Sequence, residues 1–239
     1  MYSDDDAAAL YDVLNPWAPS DDFYLAHVMA AEAVLDVGCG TGMLLHRARR
    51  EGHTGRLCGI DPDTAALRRA RSRTDVEWVE GRAVDIAWKS EFDLALMASN
   101  AFQVFVTDAE LRDSLAAIRS ALRVGGRFVF GTRNPAARGW ERWAPENAAE
   151  VVDHAGRELR CEHRVESVAD GVVAFTETTA TRDGGPLRVD RAVLRFLDAP
   201  GIDLFLVGAG FEVAERYGDW HRGPLTDASR EIVTVARAV

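Results

Sequence analysis

From Ala33 onward the chain alternates short apolar runs with amphipathic stretches. Ala33–Val37 is a β-branched apolar run followed by glycines and then by a helical pattern reaching Arg50, a strand-loop-helix unit. Residues 57–60 give the next strand. Asp61-Pro62-Asp63 then opens a helix whose first turn accommodates Pro62, since no amide is needed there. The runs 76–79, 92–97 and 127–132 continue the series. Between the last two, Thr107 and Glu110 form a capping box, Leu111, Leu115, Ile118 and Leu122 keep helical spacing, and Gly125-Gly126 ends the helix. Strands alternating with helices predict a parallel sheet covered on both faces.

Both flanks of this pattern differ. Residues 1–32 read as a helical cap, broken at Asn15-Pro16-Trp17-Ala18-Pro19, with Ser20 placed to cap a second helix from Asp21. After Asn134-Pro135, the runs 158–168, 172–181 and 187–197 are separated only by Ala-Asp-Gly and Arg-Asp-Gly-Gly-Pro, connections short enough to permit only antiparallel hairpins. A helix at 201–208 and strands at 211–217 and 231–236 follow. The expected division is therefore a cap over 1–32, one α/β domain from 33–135 and 199–239, and an inserted three-stranded antiparallel subdomain over 136–198.

A chain of 239 residues, 47% hydrophobic and 28% charged, suits one substantial core. No apolar stretch is long enough to span a bilayer and the N-terminus is acidic, so a cytoplasmic protein without membrane contact is expected. Cys39, Cys58 and Cys161 are too few and too scattered for a disulfide framework or a zinc site, and no His-Glu-x-x-His or Gly-x-Ser-x-Gly occurs, so no metal is expected. A net charge of −10 disfavours nucleic-acid partners, and the arginines in 47–50 and 68–73 read as solvated helix faces.

The candidate chemistry begins at Asp36-Val37-Gly38-Cys39-Gly40-Thr41-Gly42. Glycines there permit positive φ and close ligand approach, and the following helix start offers amides. The spacing is G-x-G-x-G; the dinucleotide fingerprint needs its third glycine where Met43 stands, which leaves a nicotinamide dehydrogenase as a weak rival. Asp36 would repel a pyrophosphate and attract an ammonium or sulfonium group. Asp61, ending the second strand, is placed to accept both hydroxyls of a ribose. A nucleoside with a cationic tail satisfies both.

Val34-Leu35-Asp36-Val37-Gly38-Cys39-Gly40-Thr41-Gly42 resembles the first motif of the class I S-adenosylmethionine-dependent methyltransferases. The resemblance continues through Gly59-Ile60-Asp61-Pro62, Val79-Glu80-Gly81, Phe92-Asp93-Leu94-Ala95-Leu96 and Leu122-Arg123-Val124-Gly125-Gly126. It implies a Rossmann-like seven-stranded sheet in the order 3-2-1-4-5-7-6, with S-adenosylmethionine as cofactor. Asp61 would take the ribose, Gly38 and Gly40 would pass under the methionine portion, and Ala83 and Val84 would flank the adenine. Cys39, Gly42, Pro62, Met97 and Asn100 complete the candidate cofactor set, and Tyr11 and Trp17 are candidates to close over it. Relatives often carry Gly-Asp-Ala where this chain reads Gly81-Arg82-Ala83; Arg82 cannot accept a hydrogen bond, which shifts adenine recognition to backbone or to Asp85.

An open parallel sheet binds its ligand beyond the carboxyl ends of its strands, so residues after Met97 and Thr132 should face the acceptor. Phe102, Gln103, Arg133 and Trp140 are the candidate substrate contacts. Ala101-Phe102-Gln103 and Thr132-Arg133-Asn134-Pro135 resemble a bacterial methyltransferase subgroup whose members carry His where Asn100 stands. The candidate general bases are His154, His163 and His221. The reading is methyl transfer to a small-molecule acceptor, with a non-catalytic S-adenosylmethionine-binding module and a protein or RNA methyltransferase as alternatives. The insertion would serve as a lid or as a homodimer contact.

Overall fold

The computed structural model describes residues 2–239. Two helices, α1 (Asp4–Leu14) and α2 (Pro19–Met29), precede a core of β1 (Ala33–Val37), α3 (Met43–Arg50), β2 (Arg56–Asp61), α4 (Thr64–Ala70), β3 (Glu77–Glu80), β4 (Phe92–Met97), α5 (Asp108–Ala121) and β5 (Leu122–Arg133). Four strands follow, β6 (Ala149–Val152), β7 (Glu158–Ala169), β8 (Val172–Thr181) and β9 (Pro186–Arg195), and then α6 (Ala199–Gly208), β10 (Phe211–Tyr217) and β11 (Glu231–Ala238).

The main sheet has seven strands in the order β10-β11-β5-β4-β1-β2-β3. Its pairings are parallel except those of β11, which runs antiparallel to both β5 and β10. This is the order that the family resemblance implied. All five residues of β1 are buried because apolar layers cover both faces. Leu35 and Val37 join Leu111, Leu115 and Ile118 of α5 and Ile202 and Leu206 of α6. Val34 points the other way, toward Tyr24 and Val28 of α2 and Leu44 and Leu45 of α3.

The second sheet is antiparallel, β6-β7-β8-β9. It has four strands where three were expected. The extra one, β6, is only four residues long and largely exposed, so its side chains carry no clear alternation, yet Val151 and Ala149 pair with Leu159 and Cys161. Three local expectations are also corrected. Ala18 rather than Ser20 precedes the first turn of α2, where Pro19 takes the position that needs no amide and Asp21 accepts the Ala18 amide at 2.8 Å. Pro62 lies outside the first turn of α4, which begins at Thr64 after the cap Asp63, whose side chain accepts the Ala65 amide at 2.8 Å and the Ala66 amide at 3.1 Å. Gly125-Gly126 does not end α5. The helix stops at Ala121 and residues 123–126 bulge from β5, whose register jumps from Phe92↔Leu122 to Leu94↔Arg127.

Helix α1 bridges the two sheets. Tyr2 and Leu10 pack with Leu159 and Cys161 of β7, while Ala8 packs on Ala65 and Ala66 of α4. Its acidic start reaches both ways: Asp4 to Arg188 of β9 at 2.6 Å, Asp6 to Arg157 at 2.7 Å, and Asp5 to Arg68 of α4 at 2.7 Å. Such exposed pairs contribute little individually, so the apolar contacts carry most of the docking.

At the floor of the carboxyl edge, a Cβ on Gly131 of β5 would stand 2.3 Å from Trp220 Cη2. Gly131→Ala is expected to cost about 1–3 kcal/mol by overpacking. Chemical denaturation should show a smaller cost in a Trp220→Ala background, and equal costs in the two backgrounds would contradict this packing account.

Candidate functional site

The glycine loop after β1 needs its glycines. Gly38, Gly40 and Gly42 have φ of 77°, 54° and 78°, and a Cβ on Gly42 would lie 2.5 Å from Trp78 Cη2. Most loop amides are already engaged: Gly38 and Cys39 donate to the Ile60 carbonyl at 2.8 and 3.2 Å, and Gly40 donates to Asp61 Oδ2 at 2.7 Å. The open donors that sequence placed along the loop are thus confined to Thr41 and the first turn of α3. Asp61 has a second task as well, since its Oδ1 accepts the Asp63 amide at 2.8 Å. Each oxygen keeps a lone pair for a ligand hydroxyl. Asp36 is different: it is 2% exposed and its Oδ1 has no hydrogen-bond partner among the described residues. Burial pushes its carboxyl up to about 8, with the nearby Asp61 charge adding to the effect.

Helix α1 closes on this loop through a residue the sequence reading passed over. Asp12 accepts the Thr41 hydroxyl at 2.5 Å and pairs with Arg69 of α4 at 3.2 Å. Tyr11 lies beside the carboxyl edge. Burial, together with Asp21, Asp12 and Asp61, holds its phenol above the ordinary tyrosine range, opposed by a hydrogen bond with Ser99. Trp17 does not close over the cleft; its Nε1 donates to Asp22 at 2.7 Å and the Arg47 guanidinium of α3 stacks on its ring.

Several candidates prove to be packing residues. The Cys39 side chain joins Leu67 and Ala70, and Met97 is buried in the core, its carbonyl accepting the Tyr24 hydroxyl at 3.1 Å. Ala83 is buried and Val84 exposed in the turn after β3, where Asp85 accepts the Arg82 amide at 2.9 Å; Pro62 is exposed on the rim. Phe102 is 3% exposed and stacked on Phe130 with centroids 4.3 Å apart, so it serves the core rather than a substrate. Trp140 likewise packs on Phe196 and Val173 at the base of the second sheet. Ser99 and Asn100 both adopt left-handed backbone, φ 51° and 59°, and the Asn100 Oδ1 is buried without a partner. Two adjacent non-glycine residues in that region store strain at the end of β4.

Gln103 and Arg133 stand together at the end of β5. Gln103 Oε1 accepts the Arg133 amide at 3.3 Å and its Nη1 at 3.1 Å, while Gln103 Nε2 donates to the Arg195 carbonyl of β9 at 3.1 Å. The Arg133 guanidinium lies over the Trp143 ring at 5.3 Å. Of the histidines, His154 and His221 are exposed in turns. His163 lies on β7 facing Trp143 and Phe175, its Nε2 3.1 Å from Glu177 Oε2. Glu231, missed in the sequence, starts β11 opposite Arg133, and its Oε2 has no partner. Only its position after an irregular loop at a strand start could have drawn attention to it.

A glycine loop, two buried carboxylates and the Gln103–Arg133 pair at the carboxyl edge on this strand order are joined by independent likenesses. Residues 34–126 match the sequence family described as the methyltransferase domain. A 2-phytyl-1,4-naphtoquinone methyltransferase from Nostoc is 33% identical over 39% of this chain; the match spans 48%, about half, of that relative's length. The chain carries a class I S-adenosylmethionine-dependent methyltransferase domain. The resemblance implies S-adenosylmethionine as its cofactor. A cypemycin N-terminal methyltransferase from Streptomyces is 26% identical over 97% of this chain and 96% of its own. An amino pentose methyltransferase from Micromonospora echinaspora shares the fold, with a TM-score of 0.71 at 22% identity over 96% and 97% of the two chains.

The residues of the methyltransferase domain fit that cofactor. The Asp36 carboxyl is buried with one oxygen unpartnered among the described residues, so that a cation beside it would stabilise its ionised form; the loop leaves no room for a Cβ at Gly42, and Asp61 retains acceptor capacity at the second strand's end.

A carboxyl held up to about 8 when folded, against an ordinary value near 4, keeps its proton longer in the folded state, so its contribution is present at low pH and lost as pH rises toward 8. His27 acts oppositely, because burial beside Arg127 and Arg222 pulls its imidazole down to about 4. Subtracting the Asp36→Asn variant removes that background. Wild type is expected to lose, relative to the variant, on the order of a few kcal/mol of unfolding free energy between pH 5 and pH 9. Parallel pH profiles would show that Asp36 ionises freely in the fold.

Proposed function

We propose that the protein transfers a methyl group from S-adenosylmethionine to a small-molecule acceptor held between the carboxyl edge of the main sheet and the second sheet. Asp36, with a buried oxygen that no described residue satisfies, is the single observation that carries this reading, because a cationic cofactor supplies what it lacks. S-adenosylmethionine brings a methyl group on a cationic sulfur, activated toward displacement. The protein's part is to hold, orient and dry the reactants, and alignment of this kind can supply roughly 7–11 kcal/mol of a barrier.

In this reading Asp61 holds the ribose while Gly38 and Gly40 lie under the methionine portion. The adenine meets Ala83 and Val84 through backbone and apolar contact, since Asp85 is engaged with Arg82. Tyr11 and the Asp12–Thr41 bond close the cleft from above. Arg133 and Trp143 form the acceptor wall, with buried Gln103 positioning the guanidinium behind it. The second sheet with residues 136–198 acts as the lid, and α1, docked on the second sheet and on α4, fixes its distance from the loop. The net charge of −10 supports a small acceptor over a nucleic acid. None of the described helices is long and apolar enough to cross a membrane.

Isothermal titration tests the cofactor half and a turnover screen the acceptor half. Asp61→Ala is expected to weaken S-adenosylmethionine roughly 10- to 100-fold, the range for a lost hydrogen bond to a charged group. Undiminished affinity would mean that Asp61 does not hold the ribose. Tight binding with no methylated product from any small acceptor would favour a binding module over an enzyme.

A further inference from the structure

Two carboxyl groups at the carboxyl edge, buried Asp36 and half-buried Glu231, each keep a buried oxygen without a partner among the described residues, and the methyl-transfer reading assigns a cation to only one of them. Asp36 takes the cofactor's charge. Glu231 remains, its Oε2 buried without a hydrogen-bond partner among the described residues. Its ladder neighbour is a cation, Arg133, yet the two stay unpaired. The reason is visible: Gln103 Oε1 holds the guanidinium at 3.1 Å and Trp143 offers it a ring face at 5.3 Å. A buried acid kept apart from the nearest base is costly unless something else completes it.

We propose that Glu231 receives the protonated amine of the acceptor and takes its proton, so that the protein methylates nitrogen. The inference rests on the methyl-transfer reading and names its substrate class. Glu231 shares the face of the sheet with its ladder partner Arg133, and it lies near Tyr24, whose hydroxyl donates to the Met97 carbonyl at the end of β4. One proton passes from the ammonium to the Glu231 carboxylate, freeing the nitrogen lone pair. That pair forms the new N–C bond as the C–S bond breaks, its electrons staying on a now neutral sulfur. The Glu231 proton then leaves to water, and the product departs as a methylated ammonium.

The acid–base match favours an amine over an alcohol. Burial, opposed in part by Arg133, pushes the Glu231 carboxyl up to about 7. An alkylammonium near 10 lies about three units above it, whereas an alcohol lies far beyond reach. Inside a poorly solvated site, transfer between an ammonium and a carboxylate removes two charges at once, which narrows the gap. The two likenesses named above for amine-bearing acceptors, the cypemycin N-terminal and the amino pentose methyltransferases, agree with this class.

The groups facing Glu231 are Arg133 from β5 and Tyr24 from α2; Tyr24 in turn faces Asp36 of β1 and Asp21, and Arg133 faces Tyr11 of α1. The test uses the full chain with S-adenosylmethionine and matched probes: alanine-leading peptide amides and methyl aminopentosides against their hydroxyl counterparts. Amines are expected to react and the hydroxyl counterparts not. In wild type, kcat/KM should rise through a limb near pH 7. In Glu231→Gln it should fall roughly 100-fold or more at pH 7, lose that limb and recover as pH approaches the amine's own pKa, with Glu231→Asp partly restoring the neutral-pH rate. Titration should find S-adenosylmethionine affinity unchanged in both variants. Hydroxyl probes reacting in preference to amines, an unaltered pH profile in Glu231→Gln, or the same loss in His163→Gln instead would overturn the inference. So would amines that neither bind nor react while the cofactor binds. Failure of S-adenosylmethionine itself to bind would instead overturn the methyl-transfer reading.

Discussion

Taking Asp36 out of water without a partner is the constraint around which this fold is arranged. A carboxylate in that position is expensive, and the molecule meets the expense by letting the group hold a proton up to about pH 8. Nothing in the packing requires an acid there: Val34 on the same face of β1 shows what apolar burial does with such a position. The neighbouring Asp61 worsens the electrostatics and yet is retained, because it fastens Gly40 and Asp63 and so shapes the loop. The site is therefore built at the expense of the empty protein's stability, and a cationic ligand would relieve it.

That arrangement explains the attachment of α1. An exposed helix of eleven residues is marginal by itself. Here Leu10 is buried on β7, Ala8 on α4, and Asp12 grips the Thr41 hydroxyl within the loop. One short element thus touches the cofactor loop, the helix behind it and the second sheet. Loosening any of the three contacts changes the enclosure of the carboxyl edge, which is the property that strengthens electrostatic interactions within it.

The architecture was legible wherever apolar periodicity and turn chemistry agreed. The strand-loop-helix at Asp36–Gly42 and the capped helix after Thr107 were readable because each has one dominant local signal. Legibility failed where tertiary contacts decide. β6 is defined by its partner Leu159 and not by its own pattern. The bulge at residues 123–126 carries glycines that elsewhere end helices. Phe102 and Trp140 bear the chemistry of a binding pocket, and only the rings of Phe130 and Phe196 reveal them as core. Glu231 shows the converse failure: it reads as a solvated strand start, and its burial arises from Arg133, Tyr24 and strands far away in sequence.

Gln103 connects these levels. It is 1% exposed, and its amide is shared between β5 and β9, which belong to different sheets. An arginine in the same place would repel Arg133, and an aliphatic residue would leave the guanidinium free to swing onto Glu231. The amide instead accepts from Arg133 and donates to the Arg195 carbonyl, so the position of the second sheet is coupled to the direction in which the guanidinium points. The separation of Arg133 from Glu231, on which a charged acceptor would depend, is thereby set by the docking of the lid and not by β5 or β11 alone.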